Sequence, residues 1–199
     1  MKTLQLSFVA ALLLSLLGAF SLTKQKPADD SLKNYCVSQT DKKLYDMLMA
    51  YRKTLRLEPI PLSKSLSYVA FSHTMDLSLN RPDQKPCNLH SWSSKGSWKP
   101  CCYTSDHKKA ACMWDKPNEI AGFAGDGFEI AAYYSSKETP EMAISQWKGS
   151  PGHNAVMANK GMWAGKKWQS VGVSIYGNYA VMWFSEMDDA LGVPNVCGQ

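Results

Sequence analysis

Apolar and polar positions fall into three regimes along the chain. From Thr40 onward Leu44, Leu48, Tyr51 and Leu55 recur at three-to-four spacing, which predicts an amphipathic helix capped by Thr40 or Asp41. Glu58-Pro59-Ile60-Pro61 ends it, because a residue before proline is pushed out of the α region. Ser63 then caps a second helix that carries Leu66, Val69, Ala70, His73 and Leu77 on one stripe. A histidine on an apolar stripe is more often a hydrogen-bonded core residue than a ligand.

Residues 81–128 lack a sustained period and are rich in Gly, Pro, Ser, Lys and Trp. So long a stretch without elements is uncommon in a compact domain unless it is functional or stapled. Trp92, Trp98 and Trp114 are expected as local core rather than as an aromatic groove. Order returns at Thr139, a helix cap followed by Pro140 in the first helical position and Glu141 against the positive helix end. Ala143, Ile144 and Trp147 form the inner face of that helix, and Gly149 ends it. Ser150-Pro151 starts another helix at once, with His153 in its first turn. Finally Val171, Val173 and Ile175 alternate with Gly172, Ser174 and Tyr176, Gly177-Asn178 makes a two-residue turn, and Tyr179 to Glu186 returns as the second strand of a hairpin. Helices first and strands late predict an α+β domain.

The amino terminus changes the setting. Lys2 precedes an apolar run from Leu6 to Phe20 that is shorter than the roughly 20 residues needed to span a bilayer. The small residues near Gly18, Ala19 and Ser21 suit cleavage, so a signal peptide is expected over 1–21, a linker over 22–39, the domain over 40–190 and a tail over 191–199. A secreted, periplasmic or extracellular protein follows, with no stable membrane insertion after cleavage. The 199 residues carry a formal net charge of +5 in mixed signs, without a basic stripe, which argues against nucleic-acid partners. Cys36, Cys87, Cys101, Cys102, Cys112 and Cys197 form an even set, as expected for disulfides in an exported chain, with connectivity left open. Adjacent Cys101 and Cys102 are poorly placed to bond each other. A rival reading gathers Cys87, His90, Cys101, Cys102, His107 and Cys112 into a structural zinc cluster, on imperfect ligand spacing.

Four segments stand in order: Asn88-Leu89-His90-Ser91-Trp92, Gly127-Phe128-Glu129-Ile130-Ala131, Trp147 with Ser150-Pro151-Gly152-His153-Asn154, and the closing hairpin. Together with Tyr51-Arg52 and the Leu66, Ala70, His73 helix, they resemble the CAP superfamily of cysteine-rich secretory, venom-allergen and pathogenesis-related proteins. The nearest resemblance is to its bacterial SCP-like branch, over roughly residues 41–186. The resemblance implies a single-domain α-β-α sandwich in which His90 and His153 hold Zn2+ or another divalent cation. Glu129, Ser91 and Asn154 would then line or support the cleft. Glu119, in Asn118-Glu119-Ile120-Ala121, offers a rival alignment to Glu129. The sequence departs from the family where Lys148 and Gly149 follow Trp147 in place of a second glutamate, and in its cysteine-rich insertion.

The family implies an extracellular module that binds a small molecule, lipid, glycan or protein. The alternative is a metal-dependent hydrolase or peptidase using metal-bound water beside Glu129. No His-Glu-x-x-His motif or Gly-x-Ser-x-Gly elbow supports catalysis. Without a metal, His90, Glu129 and His153 would form a buried polar network.

Overall fold

Elements follow one another along the chain as α1 (Asp30–Lys33), β1 (Cys36–Val37), α2 (Gln39–Thr54), α3 (Lys64–Asn80), α4 (Ala110–Trp114), α5 (Lys116–Ala121), β2 (Phe128–Tyr133), α6 (Pro140–Gly149), α7 (Pro151–Met157), β3 (Ser170–Tyr176), β4 (Tyr179–Ser185) and β5 (Asn195–Val196). These belong to a computed structural model that describes residues 30–198. The expected signal peptide at 1–21 lies outside the described residues.

The hairpin forms as the alternation predicts, with Val173 opposite Met182 and Tyr176 opposite Tyr179 across the Gly177-Asn178 turn. β2 adds to the free side of β4, giving an antiparallel sheet of order β2-β4-β3. Alternate residues of the sheet enter two separate cores. Ile130, Ala132, Val171, Val173, Ala180, Met182 and Phe184 pack with α2, α6 and α7 through Leu44, Leu48, Ile144, Trp147 and Met157. On the opposite face Ala131, Val181 and Trp183 pack with α3 through Leu66, Val69, Ala70 and Leu77. Helices on both faces of one sheet make the α-β-α sandwich expected from the resemblance.

Local chemistry starts the helices. Ser63 Oγ accepts from the Leu66 amide at 2.9 Å, and Thr139 Oγ1 accepts from Met142 at 3.3 Å. The cap of α2 is Ser38 rather than Thr40 or Asp41. Its hydroxyl accepts from the Asp41 amide at 3.0 Å while the Asp41 carboxylate accepts from the Ser38 amide at 3.1 Å, a reciprocal capping box. Asp41 also accepts from the Ile175 amide at 2.8 Å, tying the helix start to the sheet.

The terminal segments differ from the expected linker and tail. Leu32 and Val37 are buried, β1 pairs in parallel with β5, and Cys36 bonds Cys197. A bridge across 161 positions removes a large loop-closure entropy from the unfolded chain. It therefore stabilises elements too short to persist alone. The insertion is stapled by Cys87–Cys102 and Cys101–Cys112, so the adjacent cysteines pair with different partners. These bridges overturn the zinc-cluster reading, since their sulfurs are no longer thiolates. Three disulfides also fit an oxidising compartment. Among the described residues, no helix is long and apolar enough to cross a membrane.

Helix α3 and strand β3 meet at Gly172. A Cβ there would lie 2.0 Å from the carbonyl carbon of Leu66 and 2.3 Å from its oxygen, both backbone atoms that cannot rotate away. Gly172→Ala is expected to destabilise the fold by about 3 kcal/mol, at the upper end of ordinary overpacking costs. Urea unfolding would measure it, and an unchanged midpoint would show that the helix-to-sheet spacing is slack.

Candidate functional site

Glu129 lies on β2, an edge strand, and faces the α3 layer. Its side chain is fully buried. Burial pushes its carboxyl up, but the charge of His73 and hydrogen bonds from His73 and His90 outweigh this and hold it below the usual carboxylate range. His73 Nδ1 meets Oε1, and His73 Nε2 donates to the Ser91 carbonyl at 2.9 Å. Both ring nitrogens of His73 thus face oxygen atoms, one of the carboxylate and one of the backbone. The ring stacks on Trp92 at 4.0 Å between centroids with planes 8° apart. This face-on contact packs the imidazole flat against the indole.

Glu129 Oε2 accepts from His90 Nδ1 at 2.7 Å. That bond sets the His90 tautomer: the proton sits on Nδ1, leaving Nε2 with a free lone pair. The His90 side chain retains 19% exposure, so it reaches solvent. Its backbone is held from several sides. The His90 amide donates to Asn88 Oδ1 at 3.0 Å, Asn88 pairs with the Tyr103 carbonyl at 2.9 Å, and Trp92 bridges to Cys101. Cys87–Cys102 fastens the same two segments covalently, and Cys101–Cys112 ties the second of them to α4. The insertion therefore braces one histidine of the site.

His153 comes from the other layer, in the first turn of α7. Two neighbouring residues of α2 position that helix: Tyr51 OH donates to Asn154 Oδ1 at 2.8 Å, and Arg52 Nη1 donates to the Met157 carbonyl at 2.7 Å. His153 Nδ1 is buried without a hydrogen-bond partner. Burial first, and then the nearby His90, lower the tendency of this imidazole to protonate. Its sensitivity to the charge of His90 places the two rings in one electrostatic neighbourhood.

The expected site residues thus separate into groups. His90, Glu129 and His153 belong to one region. Ser91 supports it through its backbone carbonyl, while its hydroxyl accepts from the Tyr103 amide at 2.9 Å. Asn154 anchors α7 to Tyr51 instead of lining the site. Glu119, the rival to Glu129, pairs with Lys116 at 2.6 Å beside a separate cavity of about 590 Å³ in the insertion. The expected core role of His73 is met, yet sequence reasoning missed that its partner is Glu129. The stripe position of His73 signals only that it faces the core, not which residue it meets there. The polar network is real, but His153 forms no hydrogen bond within it. Trp92 is core as expected, whereas Trp114 is 37% exposed.

Glu129 also fails as a catalytic base. Both oxygens are occupied by imidazoles and no surface is open to water, so it cannot take a proton from a bound water in this arrangement. Among the described residues no three His, Cys, Asp or Glu side chains converge as metal ligands. The available donors are two imidazoles.

No family model and no curated protein matches the chain. Several solved structures are similar, among them three bacterial proteins. An extracellular protein containing an SCP domain from Bacillus anthracis aligns at 15% identity and a TM-score of 0.49, covering 73% of this chain and 40% of that one. An outer surface protein from Borrelia burgdorferi aligns at 18% and 0.48, covering 72% and 90%. A cysteine-rich secretory protein from Staphylococcus aureus aligns at 16% and 0.48, covering 74% and 38%. The chain therefore spans about two fifths of the first and third.

Removing the shared carboxylate strands the buried His73 and releases the partly exposed His90. Glu129→Ala is expected to cost about 3–5 kcal/mol in urea unfolding, the range for breaking a buried charge pair on one side. A loss under about 1 kcal/mol would mean that the network contributes little. His153 adds a pH dependence. Its folded value lies below the ordinary 6.5, so the unfolded chain binds the proton more readily and stability falls as pH drops through 6.5. His153→Gln should flatten that part of the thermal-midpoint profile, and an unaltered slope would assign it elsewhere.

Proposed function

We propose that this chain is a secreted CAP/SCP-type module in which His90 and His153 bind a divalent cation such as Zn2+, serving extracellular ligand binding rather than turnover. The observation that carries the reading is the carboxylate–imidazole bond from Glu129 to His90. Metal-binding histidines commonly donate their second nitrogen to a carboxylate, which orients the ring and raises its basicity. Here that arrangement leaves Nε2 of His90 as the free donor. His153 matches it, because a buried imidazole biased toward the neutral form has an available lone pair.

Two protein ligands leave positions that water or an exogenous group fills. A bound cation supplies a Lewis-acid contact for an anionic or carbonyl oxygen of a ligand. The chain itself supplies orientation: Glu129 and His73 hold His90, while Tyr51 and Arg52 hold the helix carrying His153. The partner would be an extracellular small molecule, glycan, lipid or protein. The hydrolase alternative loses its named base, since Glu129 is locked between two rings.

His153→Ala is expected to abolish zinc binding while leaving the far-ultraviolet circular dichroism intact, and His90→Ala should do the same. Titration calorimetry tests this directly. Zinc affinity unchanged in either variant would exclude the two-histidine site.

A further inference from the structure

A second feature lies apart from the histidines, in the loop after α7: Asn159-Lys160-Gly161-Met162-Trp163-Ala164-Gly165-Lys166-Lys167. Met162 is 85% exposed, the most exposed large apolar residue among those described. Trp163 beside it is half-buried. Its ring lies 5.1 Å from Phe128 and 5.6 Å from Trp168 between centroids, so one edge is anchored in an aromatic base. Lys160 and Lys167 are exposed, and their ammonium groups have no carboxylate partner among the described residues. Lys166 engages Glu186 at 2.5 Å, and the Lys167 amide donates to the same carboxylate at 3.1 Å, which occupies the adjacent acid.

The loop is held in shape from inside the protein. Arg52, 4% exposed, donates to Asn159 Oδ1 at 2.8 Å. Asn159 Nδ2 in turn donates to the carbonyls of Lys166 at 2.9 Å and Trp163 at 3.3 Å. Asn159 and Gly161 take left-handed backbone angles, φ 48° and 56°, that turn the chain outward. A buried guanidinium and a left-handed asparagine thus fix a tip whose most exposed side chain is apolar and whose unpaired charges are positive.

We propose that this tip docks the protein peripherally on an anionic lipid bilayer, with Met162 and the outer edge of Trp163 entering the headgroup boundary and Lys160 and Lys167 meeting lipid phosphates. Charge complementarity selects this occupant. One protruding methionine and an indole edge are far too small for a stable protein–protein interface. Shallow insertion of apolar groups flanked by lysine is how interfacial anchors bind, and tryptophan favours that boundary. The docking does not depend on the metal reading.

Residues 22–199, which contain all the described residues, would be sedimented with phosphatidylcholine vesicles with and without phosphatidylglycerol, at low and high salt. Binding is expected on the anionic vesicles alone and is expected to weaken with salt. Lys160→Gln/Lys167→Gln should weaken it about fivefold per lysine, and Met162→Asp about tenfold, with thermal midpoints unchanged because both changes sit on exposed positions. His90→Ala/His153→Ala should bind as the unmodified chain does. Equal partitioning onto both vesicle types, or loop variants that bind like the unmodified chain, would overturn the proposal. Loss of binding in the histidine variant would also overturn it, by placing the lipid at the histidines.

Discussion

A single buried carboxylate constrains the arrangement of this protein more than any other group. Glu129 sits on the edge strand of the sheet with no water to solvate it. An unpaired charge there would cost several kcal/mol, so its oxygens must be met by donors from the protein. One donor comes from α3 through His73, the other from the disulfide-braced insertion through His90. The carboxylate therefore ties the sheet, one helical layer and the insertion to one point. Substituting an apolar residue could fill the volume, but it would release the orientation of His90. The pair with His73 and the stack on Trp92 together make the carboxylate tolerable, and the carboxylate in turn makes His90 a directed donor.

The segments that could be read from sequence are those whose structure is decided locally. Ser63, Thr139 and the Gly177-Asn178 turn act through hydrogen bonds and dihedral preferences within a few residues, and the structure has them where the pattern puts them. Strand β2 was visible only as a motif, because Glu129 is a buried charge in a strand and breaks the hydrophobic signal. Helices α4 and α5 are five and six residues long and depend on the Cys101–Cys112 bridge and on packing against α3. Short elements of that kind leave no periodicity to detect. The same holds for α1, β1 and β5, which gain their stability from closing the chain ends together.

The candidate site was half legible for a related reason. His90 and His153 stand in short, specific settings, and the resemblance to CAP proteins located them. His73 stands in a helix with an ordinary apolar stripe, where nothing in the sequence announces a partner 56 positions away. Only the sheet register, which turns Glu129 and Ala131 toward α3 while Ile130 faces the other core, brings the two together. Cysteine pairing was open for the same reason: it depends on which loops the fold brings side by side.

The two histidines of the site differ in how their surroundings hold them. Glu129 holds Nδ1 of His90 in a hydrogen bond, whereas His153 has a buried nitrogen with no partner and an environment that disfavours charge. A general acid or base must exchange protons readily near the working pH. Here the only carboxylate among the hydrogen-bonded groups is saturated by two imidazoles, and His153 is biased toward its neutral form. Each ring nevertheless keeps a nitrogen that no protein hydrogen bond uses, Nε2 of His90 and Nδ1 of His153. His90 is carried by the disulfide-braced insertion and His153 by the first turn of α7, so a ligand engaging both would meet backbones already fixed by their own layers, with less ordering entropy to oppose it.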